Sequence, residues 1–351
     1  MKKVLFILKR KATQSPSSDG HIGVSTGLYN SASFMDDMLK SLNVNSEMVI
    51  VTDNNDIDRE VTKHRPTHVI IEALWVVPSK FAILQKLHPN VTWIIRLHSE
   101  IPFIAGEGSA MDWIGDYSAV KNIVIACNSP RMTRDMRAFL SHRNDWGYQE
   151  SIERVIFLPN YYPVEMKFKA YTPTDDVISI GCFGAIRPLK NQLIQAHAAL
   201  AFAKSINKKL HFHINSNRVE QKGDSVMSNL QGLFQQMASK GHQMIGHVWT
   251  PRDGFLELCA TMDIGMQVTF SETFNIVGAD IISQGVPLVG SIEIPWAGKL
   301  YNANPVDCED IYNQLIETHA NPINNVIQHQ ASLIKYVEDA KETWAQYFKE
   351  A

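Results

Sequence analysis

Two carboxylates eight residues apart give the first chemical signal in this sequence. The segment SETFNIVGAD carries Glu272 and Asp280, and it follows an apolar run over 264–268. The pattern predicts a buried strand, a loop that holds Glu272, and a helix from about Asn275 to Gln284 with Asp280 on its second turn. A carboxylate accepts hydrogen bonds from pairs of hydroxyls, as a sugar offers them. A carboxylate at this place is therefore suited to a ligand with paired hydroxyls.

Two cations precede these carboxylates in the chain. Arg187 and Lys190 lie in the loop AIRPLKN, between the predicted strand VISIGCFG and a predicted helix. A helix N-terminus favours anions, and an arginine fork with a lysine point charge suits a doubly charged group such as a diphosphate. The start of the helix after Glu272 adds backbone amides from Thr273, Phe274, Asn275, Ile276 and Val277. Together these groups are the chemical inventory of a nucleotide diphosphosugar site.

The elements that must position these residues alternate between strand and helix along the chain. Apolar runs such as VLFIL, HVIIEA and TWIIRL, and later VISIGCFG, LHFHIN and DIGMQV, are continuous, which is typical of parallel strands covered on both faces. We therefore predict an α/β fold of two facing, doubly wound Rossmann-like domains with ligands in the cleft between them. The predicted domains span 1–166 and 177–323, with a linker over 167–176 and a C-terminal helix over 324–351 that packs back towards the first domain.

Composition and charge exclude several other classes of protein. The 351 residues are 45% hydrophobic and 20% charged, which is typical of a globular protein, and the net charge of −3 gives no strong field towards nucleic acid or anionic membranes. No apolar run approaches the length of a membrane span. The four cysteines are scattered, and His211 and His213 alternate on a strand without a third ligand nearby. We expect a cytoplasmic protein without a metal site.

In these motifs the chain resembles the retaining glycosyltransferases of family 4, which have the GT-B fold. The family has an arginine and a lysine after the first strand of its donor domain, then a Glu-x7-Glu pattern on a strand, loop and helix. Here Arg187, Lys190 and Glu272 match, and Asp280 stands at the second glutamate. The family segment Glu-Gly-Phe-Gly is ETFN here, and Asn275 tolerates the left-handed backbone that glycine would supply.

The resemblance covers most of the chain. Thr26 and Gly27 begin a predicted helix after the loop SSDGHIGVS, where the family places glycines against the diphosphate. His98 ends a predicted buried strand, where family members place a histidine near the donor sugar. The segment GHVWTP, with Val248 and Trp249, matches the part whose backbone reads the nucleobase, and CNSP and LPNY match further landmarks.

The resemblance implies a reaction and a role for each residue. A sugar would pass from a nucleotide diphosphosugar, expected to be a UDP-sugar, to a hydroxyl acceptor with retained configuration and without a metal or other cofactor. Arg187 and Lys190 would neutralise the leaving diphosphate, Glu272 would hold sugar hydroxyls, and Asp280 would hold the ribose. His98 would position the sugar, because the leaving phosphate itself can take the acceptor's proton in the mechanism proposed for the family.

The sequence leaves the acceptor open. A small molecule or a glycan fits the family, and the chain is also similar to bacteriophage glycosyltransferases, some of which modify hydroxymethyl pyrimidines in DNA in the host cytoplasm. Arg131, Arg134 and Arg137, at spacings of three on the helix SPRMTRDMRAFLSHR, and the basic N-terminus favour DNA, whereas the negative net charge opposes it. The segment over 100–117, beginning at Glu100, is predicted to be a loop that lines the acceptor side as a lid; the alternative is an irregular surface loop around a buried Trp113.

A function of another class also stays open at this stage. A protein with this fold could bind nucleotide sugars without turning them over. The presence of Arg187, Lys190 and Glu272 together favours the enzyme. No pattern in the sequence indicates an oligomeric state.

Overall fold

The computed structural model describes residues 2–10, 26–169 and 176–349. The predicted loop SSDGHIGVS and residues 170–175 of the predicted linker lie outside the described residues. The chain divides into two compact units: the first comprises Met1–Pro163 with Val337–Ala351, and the second comprises Val164–Tyr336. Each unit is built around its own parallel sheet.

Within the described residues, six strands form the sheet of the first unit. They are β1 (Lys3–Lys9), β2 (Asn45–Val51), β3 (His68–Glu72), β4 (Thr92–Leu97), β5 (Ile123–Cys127) and β6 (Val155–Phe157). All pairings are parallel, in the order β2-β1-β3-β4-β5-β6. The first five are the predicted apolar runs. The sixth was missed because three residues before a proline-rich stretch are too few to show a period.

Both faces of this sheet are buried, as continuous apolar strands predict. In β1, Leu5 and Ile7 pack into one hydrophobic cluster, whereas Phe6 packs into another on the opposite face. Successive side chains of a strand point to opposite faces, so a strand that is apolar throughout has to be covered twice. The second cluster includes Trp344 and Phe348, so the last turns of the chain belong to the core of the first unit.

Helices connect these strands, and one of them corrects the sequence analysis. The helices are α1 (Thr26–Ser41), α2 (Asp56–His64), α3 (Lys80–Leu87), α4 (Ile101–Ile104), α5 (Ala110–Ser118), α6 (Pro130–Asn144) and α7 (Tyr148–Arg154). The loop predicted over 100–117 is wrong, because most of it forms α4 and α5. Pro102 lies in the first turn of α4, where a helix tolerates proline, and Ile114 and Tyr117 bury one face of α5. Trp113 is only partly buried.

The described part of the second unit also holds a six-stranded parallel sheet. Its strands are β7 (Val177–Gly181), β8 (Lys209–Asn215), β9 (Gln243–His247), β10 (Ile264–Gln267), β11 (Leu288–Ser291) and β12 (Asn302–Ala303). The order is β12-β11-β10-β7-β8-β9, so the chain moves outward from β7 to β9 and then returns to the other side of β7. The loops after β7 and β10 therefore flank the switch point, where ligands bind in such sheets.

The second unit has its own helices and its own core. The helices are α8 (Gln192–Ser205), α9 (Gly223–Met237), α10 (Arg252–Ala260), α11 (Ile276–Ser283), α12 (Cys308–Ala320) and α13 (Pro322–Lys349), with a short 3-10 turn at Pro188–Lys190. Ile180, Phe212 and Met266 lie in one buried cluster. Helix α13 begins in the second unit and ends in the first. Across the described ranges, no helix is both long and apolar enough to span a membrane.

Two residues that the sequence placed in the linker make contacts inside the second unit. Lys167 N donates to Ser283 O at 2.7 Å, and Lys169 Nζ donates to Met262 O at 2.9 Å. These bonds fasten the described part of the segment to the end of α11 and to the residues before β10.

Candidate active site

The loops that follow β7 and β10 are tied together at the switch point of the second sheet. Phe270 N donates to Leu189 O at 3.0 Å. Asn191 Nδ2 donates to Val268 O at 3.0 Å, and Val268 N donates to Gln195 Oε1 at 2.8 Å. Because Asn191 and Gln195 lie at the start of α8, these bonds hold the two loops, and the side chains that leave them, against one helix.

Lys190 and Glu272 form an ion pair between these loops. Lys190 Nζ donates to Glu272 Oε1, and only 12% and 11% of the two side chains are exposed. Burial lowers the pKa of the Lys190 ammonium, and the neighbouring Glu272 carboxylate acts in the opposite direction. The sequence predicted both as site residues, and the structure brings them into direct contact. The partner that the structure gives Glu272 is therefore a cation of the same site.

Asn275 orients Glu272 and starts the helix that follows it. Its backbone is left-handed, with a φ of 64°, at the position where the family has glycine. Oδ1 accepts from Gly278 N at 2.7 Å and caps α11, while Nδ2 donates to Glu272 Oε1 at 3.2 Å and to Gln267 Oε1 at 3.1 Å. Asparagine thus supplies the backbone conformation of glycine together with a side chain that supports the carboxylate.

Phe274 anchors this loop in the core. Its side chain is buried, and its ring lies near the rings of Trp296 and Tyr336. Trp296 Nε1 donates to the Phe274 carbonyl. The ring and the carbonyl of Phe274 therefore hold the loop in place. Thr273 is also buried, whereas Ile276 and Val277 are partly exposed.

Arg187 lies beside a carboxylate from the loop after β8. Its Nη1 is 3.7 Å from Glu220 Oε2, and Glu220 Oε1 accepts from Arg218 Nε at 2.7 Å. Arg218 in turn lies over the ring of Trp249, with Cζ 4.5 Å from the ring centroid. Arg187, expected at the diphosphate, and Trp249, expected at the nucleobase, are thus linked through two side chains that the sequence analysis missed.

Asp280 is buried on α11 and paired with an arginine of α10. Its Oδ1 lies 3.3 Å from Arg252 Nη2, and 25% of the arginine side chain is exposed. Arg252 directly follows the segment GHVWTP, in which Val248 is exposed. The position predicted for the ribose therefore holds a cation as well as a carboxylate.

In the first unit, His98 belongs to a buried network of polar side chains. Glu72, at the end of β3, accepts from Arg96 Nη1 at 3.2 Å and contacts His98 Nε2. Arg96 Nη2 donates to Asn160 Oδ1, which also accepts from Ser31 Oγ at 3.1 Å. The Glu72 and Arg96 side chains are both fully buried. His98 was predicted from the sequence, and Asn160 lies in the predicted landmark LPNY, whereas Glu72, Arg96 and Ser31 were not predicted as site residues.

The charges in this network follow from the surroundings of each group. Burial alone would raise the pKa of the Glu72 carboxyl, but Arg96 and His98 beside it hold this pKa below its usual value. Burial lowers the pKa of the His98 imidazole, although Glu72 opposes that shift. We therefore assign an ionised Glu72 and a neutral His98 near neutral pH. Because an ionised carboxylate only accepts hydrogen bonds, His98 donates from Nε2.

The residues predicted on the acceptor side have partners within the first unit. Glu100 is buried, accepts from Ser129 Oγ, and has its Oε2 3.2 Å from Arg131 Nε. Arg134 is exposed beside Asp135, with 3.3 Å between Nε and Oδ1. These contacts give Glu100 and Arg131 a structural role at the start of α6, and their acceptor role stays a prediction.

Three further expectations concern Thr26, Gly27 and a histidine pair. Thr26 begins α1, but its side chain lies outside the described residues, and a Cβ on Gly27 would meet no described heavy atom within 4 Å. Among the residues that the structure describes, no group of three or more His, Cys, Asp or Glu side chains could hold a metal ion. His213 instead pairs with His247, with 2.8 Å between Nδ1 and Nε2.

The two sheets and their connections occur in solved structures of other proteins. The α,α-trehalose-phosphate synthase (UDP-forming) from Burkholderia vietnamiensis has a TM-score of 0.70 and 10% identity over 100% of this chain and 96% of that chain. A sucrose-phosphate synthase from Thermosynechococcus elongatus has a TM-score of 0.68 and 13% identity over 100% and 99% of the two chains. The HepE protein of Anabaena, solved in complex with UDP and glucose, has a TM-score of 0.62 and 13% identity over 100% of both chains.

At sequence identities of 10% and 13%, the structural similarity establishes the fold alone. The chain has the GT-B architecture of two Rossmann-like α/β units that the sequence predicted. No protein-family model matches the sequence, and no curated protein does.

Some of the missed residues carried a signal in the sequence. Glu72 ends the apolar run HVIIE, and Arg96 interrupts the apolar run TWIIRL. An ionisable residue inside a buried strand is rarely tolerated without a partner, so each of the two could have suggested the other. Arg218 and Glu220 carried no such signal, because they lie in a polar loop. Only the packing of loops brings Glu220 to Arg187, and Arg218 pairs with Glu220.

Proposed function

We propose that the chain is a retaining glycosyltransferase that moves a sugar from a nucleotide diphosphosugar to a hydroxyl acceptor. One observation carries this proposal: Lys190 and Glu272 meet at the switch point of the second sheet, so one site offers both a phosphate cation and a hydroxyl-binding carboxylate. Two of the similar structures are described with UDP, which supports a UDP-sugar as the donor. We propose that the reaction needs neither a metal nor another cofactor.

In this reaction the bond between the anomeric carbon and the β-phosphate oxygen breaks, and the acceptor oxygen bonds to the same face of that carbon. The acceptor's proton passes to the leaving phosphate. Arg187 and Lys190 stabilise the charge that grows on the diphosphate, where losing one contact costs about 3 kcal/mol, or roughly a hundredfold in rate. Glu272 accepts hydrogen bonds from sugar hydroxyls, Asp280 accepts them from the ribose, and His98 positions the sugar.

The ion pair in the site bears on donor binding. Lys190 Nζ carries three N–H groups, and one of them donates to Glu272 Oε1, so the Glu272 carboxylate competes with an incoming diphosphate for the same cation. Removing the Glu272 charge should therefore leave the binding of free UDP intact, because Lys190 then has no competing carboxylate. The same change should lower transfer by roughly a hundredfold, because a neutral amide is a weaker acceptor for the sugar hydroxyls.

Thermal unfolding of the full chain tests this proposal with a panel of nucleotide diphosphosugars and the matching free diphosphates. A ligand at a hundred times its Kd adds about 2.7 kcal/mol of stability. We expect one donor to raise the Tm of the wild type, Lys190→Gln to abolish the response to both donor and UDP, and Glu272→Gln to keep the response to UDP. The control is Glu47→Gln, which removes the carboxylate 3.0 Å from Lys3 in the first unit and should keep every response.

Two results would contradict the assignment. If no compound of the panel raises the Tm, the proposed donor site is wrong. An equal loss of the UDP response in Glu272→Gln and Lys190→Gln would show that Glu272 serves the diphosphate rather than the sugar.

For the acceptor, we propose a small hydroxyl compound or a glycan first. Transfer to a hydroxymethyl pyrimidine in DNA, as in bacteriophage enzymes acting in the host cytoplasm, is the second proposal. The arginines Arg131, Arg134 and Arg137 each contact a carboxylate or a backbone carbonyl, which weakens the DNA alternative. A transfer assay with hydroxymethylated DNA beside small acceptors separates the two, since label on DNA alone would favour the phage type.

The non-enzymatic alternative is a protein that binds nucleotide sugars without turning them over. Such a protein would give the same thermal response to the donor, because that response needs only the binding contacts. It would show neither transfer nor slow hydrolysis of the donor under any acceptor condition. Donor turnover that depends on Glu272 would exclude it.

A further inference from the structure

We propose that Glu72 is a positioning residue that fixes the tautomer and the orientation of His98, with Arg96 holding Glu72 in place. The inference rests on the proposed function for the ligand that His98 meets. It adds to that function two residues that the sequence motifs do not contain.

Neighbouring strands bring the three side chains to one edge of the first sheet. Glu72 and Arg96 are partners in the parallel register of β3 and β4. His98 follows Arg96 by two residues, the spacing at which side chains of an extended chain leave on the same side. The Glu72 carboxylate therefore reaches both Arg96 Nη1, at 3.2 Å, and His98 Nε2.

Burying these charged side chains costs free energy that an apolar core would not cost. A buried ion pair rarely stabilises a fold more than well-packed apolar residues would, because both ions lose their hydration. The guanidinium of Arg96 is nevertheless supported from two more sides, by Asn160 Oδ1 and by the ring of Trp344, whose centroid lies 5.6 Å from Cζ. A function that needs a fixed buried charge explains why such support is built around Arg96.

The buried Glu72 carboxylate contacts His98, whose side chain is accessible to solvent. The Glu72 side chain is fully buried, whereas 17% of the His98 side chain is exposed. Seen from the solvent, Glu72 lies behind the histidine. It can therefore act on a bound molecule only through the imidazole ring.

The hydrogen bond to Glu72 decides what kind of group His98 can meet. An ionised carboxylate accepts, so Nε2 carries the proton and Nδ1 becomes the acceptor of the neutral ring. A ligand hydroxyl can donate to such a nitrogen, whereas a phosphate or carboxylate oxygen has no proton to donate. The tautomer therefore suits a sugar hydroxyl at His98 and opposes the diphosphate there.

Nitrogen-detected histidine spectra test the proposal on the full chain labelled with 15N-histidine at neutral pH. His98→Gln identifies the resonance by its disappearance. We expect the wild type to show the tautomer with the proton on Nε2, and Glu72→Gln to show a mixture, because an amide can donate or accept. The control Asp58→Asn removes the carboxylate 2.8 Å from His88 Nε2 in the same unit and should leave the His98 resonances unchanged.

A wild-type His98 with its proton on Nδ1 would overturn the proposal, and so would an unchanged tautomer in Glu72→Gln. The wild-type spectrum decides the first point even where the variant fails to fold. Once a donor is identified, Glu72→Gln should also lower kcat/KM for transfer by roughly tenfold, as loss of a hydrogen-bonded support behind a histidine does elsewhere, while the response to UDP persists. If no nucleotide sugar binds at all, the proposed function fails, and the spectra still decide the role of Glu72.

Discussion

At the scale of single residues, the charges predicted for the site are matched by opposite charges of the same chain. Lys190 pairs with Glu272, Arg187 lies beside Glu220, and Asp280 pairs with Arg252. Pairing reduces the cost of holding partly buried charges. It also means that each charge is already partly compensated, which reduces the net free energy that a charged ligand gains by binding there.

Asn275 gives a prediction at this scale, because it combines a left-handed backbone with a side-chain cap. Both Asn275→Gly and Asn275→Ala lose the side-chain cap and the hydrogen bonds to Glu272 and Gln267. Glycine adopts the left-handed backbone without strain, whereas alanine keeps a Cβ there without the side-chain hydrogen bonds that let asparagine adopt it. We therefore expect Asn275→Ala to be about 1 to 2 kcal/mol less stable than Asn275→Gly. Chemical unfolding measures both free energies. Equal stabilities of the two variants would contradict the argument.

At the scale of elements, the loops of the site are braced by helices that start beside them. Helix α9 comes so close to the loop after β7 that a Cβ on Gly223 would lie 2.0 Å from the carbonyl oxygen of Ile186. The same loop forms a parallel bridge between Ile186 and Val219. The positions of Arg187 and Glu220, each next to a bridge residue, therefore depend on a glycine at the start of α9.

We expect Gly223→Ala to destabilise the chain by more than about 2 kcal/mol, because the obstacle is backbone that cannot move aside cheaply. The response to UDP should weaken as well, since Arg187 moves with its loop. Gly232→Ala is the matched control on the same helix, where a Cβ would meet no described heavy atom within 4 Å. It should stabilise by about 0.5 to 1 kcal/mol. If Gly223→Ala has the same free energy of unfolding as the wild type, the close approach of α9 to the Ile186 carbonyl is excluded.

A second prediction at this scale concerns the first half of α13. His329 is fully buried near the rings of Trp296 and Tyr301, and burial lowers its pKa to about 4, against a smaller opposing effect of the Asn325 carbonyl. As the pH falls from 6.5 to 4, the unfolded chain takes up this proton and the folded chain does not. Stability is therefore complete above that window and is lost inside it, by about 3 kcal/mol for this group.

His329→Gln should remove this part of the pH dependence. The measurement compares urea midpoints at neutral pH and at about pH 5 for wild type and variant. The expected result is a smaller loss in the variant between neutral pH and pH 5, above the range in which carboxylates take up most of their protons. An identical loss in both proteins would show that His329 is protonated in the folded chain or accessible to solvent.

At the scale of the whole molecule, each unit has a core of its own, and the end of the chain belongs to the first. Trp344 is fully buried, lies with its ring centroid 6.2 Å from that of Phe6, and donates from Nε1 to Pro159 O at 2.8 Å. The final turns of α13 are therefore an element of the first unit in the same sense as its strands. The second unit has a separate cluster around Phe212.

Trp344→Ala should cost about 3 to 5 kcal/mol, because it leaves a large cavity beside β1. Hydrogen exchange followed by mass spectrometry should show the loss of protection in the first unit, over Met1–Pro163. Phe212→Ala is the matched variant in the second unit, and its loss should fall within Val164–Tyr336. Protection lost first in the second unit of Trp344→Ala would contradict the assignment of this helix end.

The sequence by itself determined the strands, the α/β class and several residues of the candidate site. A buried parallel strand has to be apolar along its length, so this information is local and visible as a run. The prediction failed for β6 and β12, which have only three and two residues, and for the segment over 100–117, where glycines between two short helices resembled a loop. Motifs placed Arg187, Lys190, Glu272 and His98 at strand ends without showing what they touch.

Only the tertiary structure decided which of these residues meet. Lys190 and Glu272 are 82 residues apart in the chain, and they touch because β7 and β10 are neighbours in the sheet. Glu72 and Arg96 meet for the same reason, through the register of β3 and β4. Hydrophobic periodicity reports whether a strand is buried, but not which strand lies beside it. The partners of the site's charges therefore follow from strand order, which is a property of the folded chain.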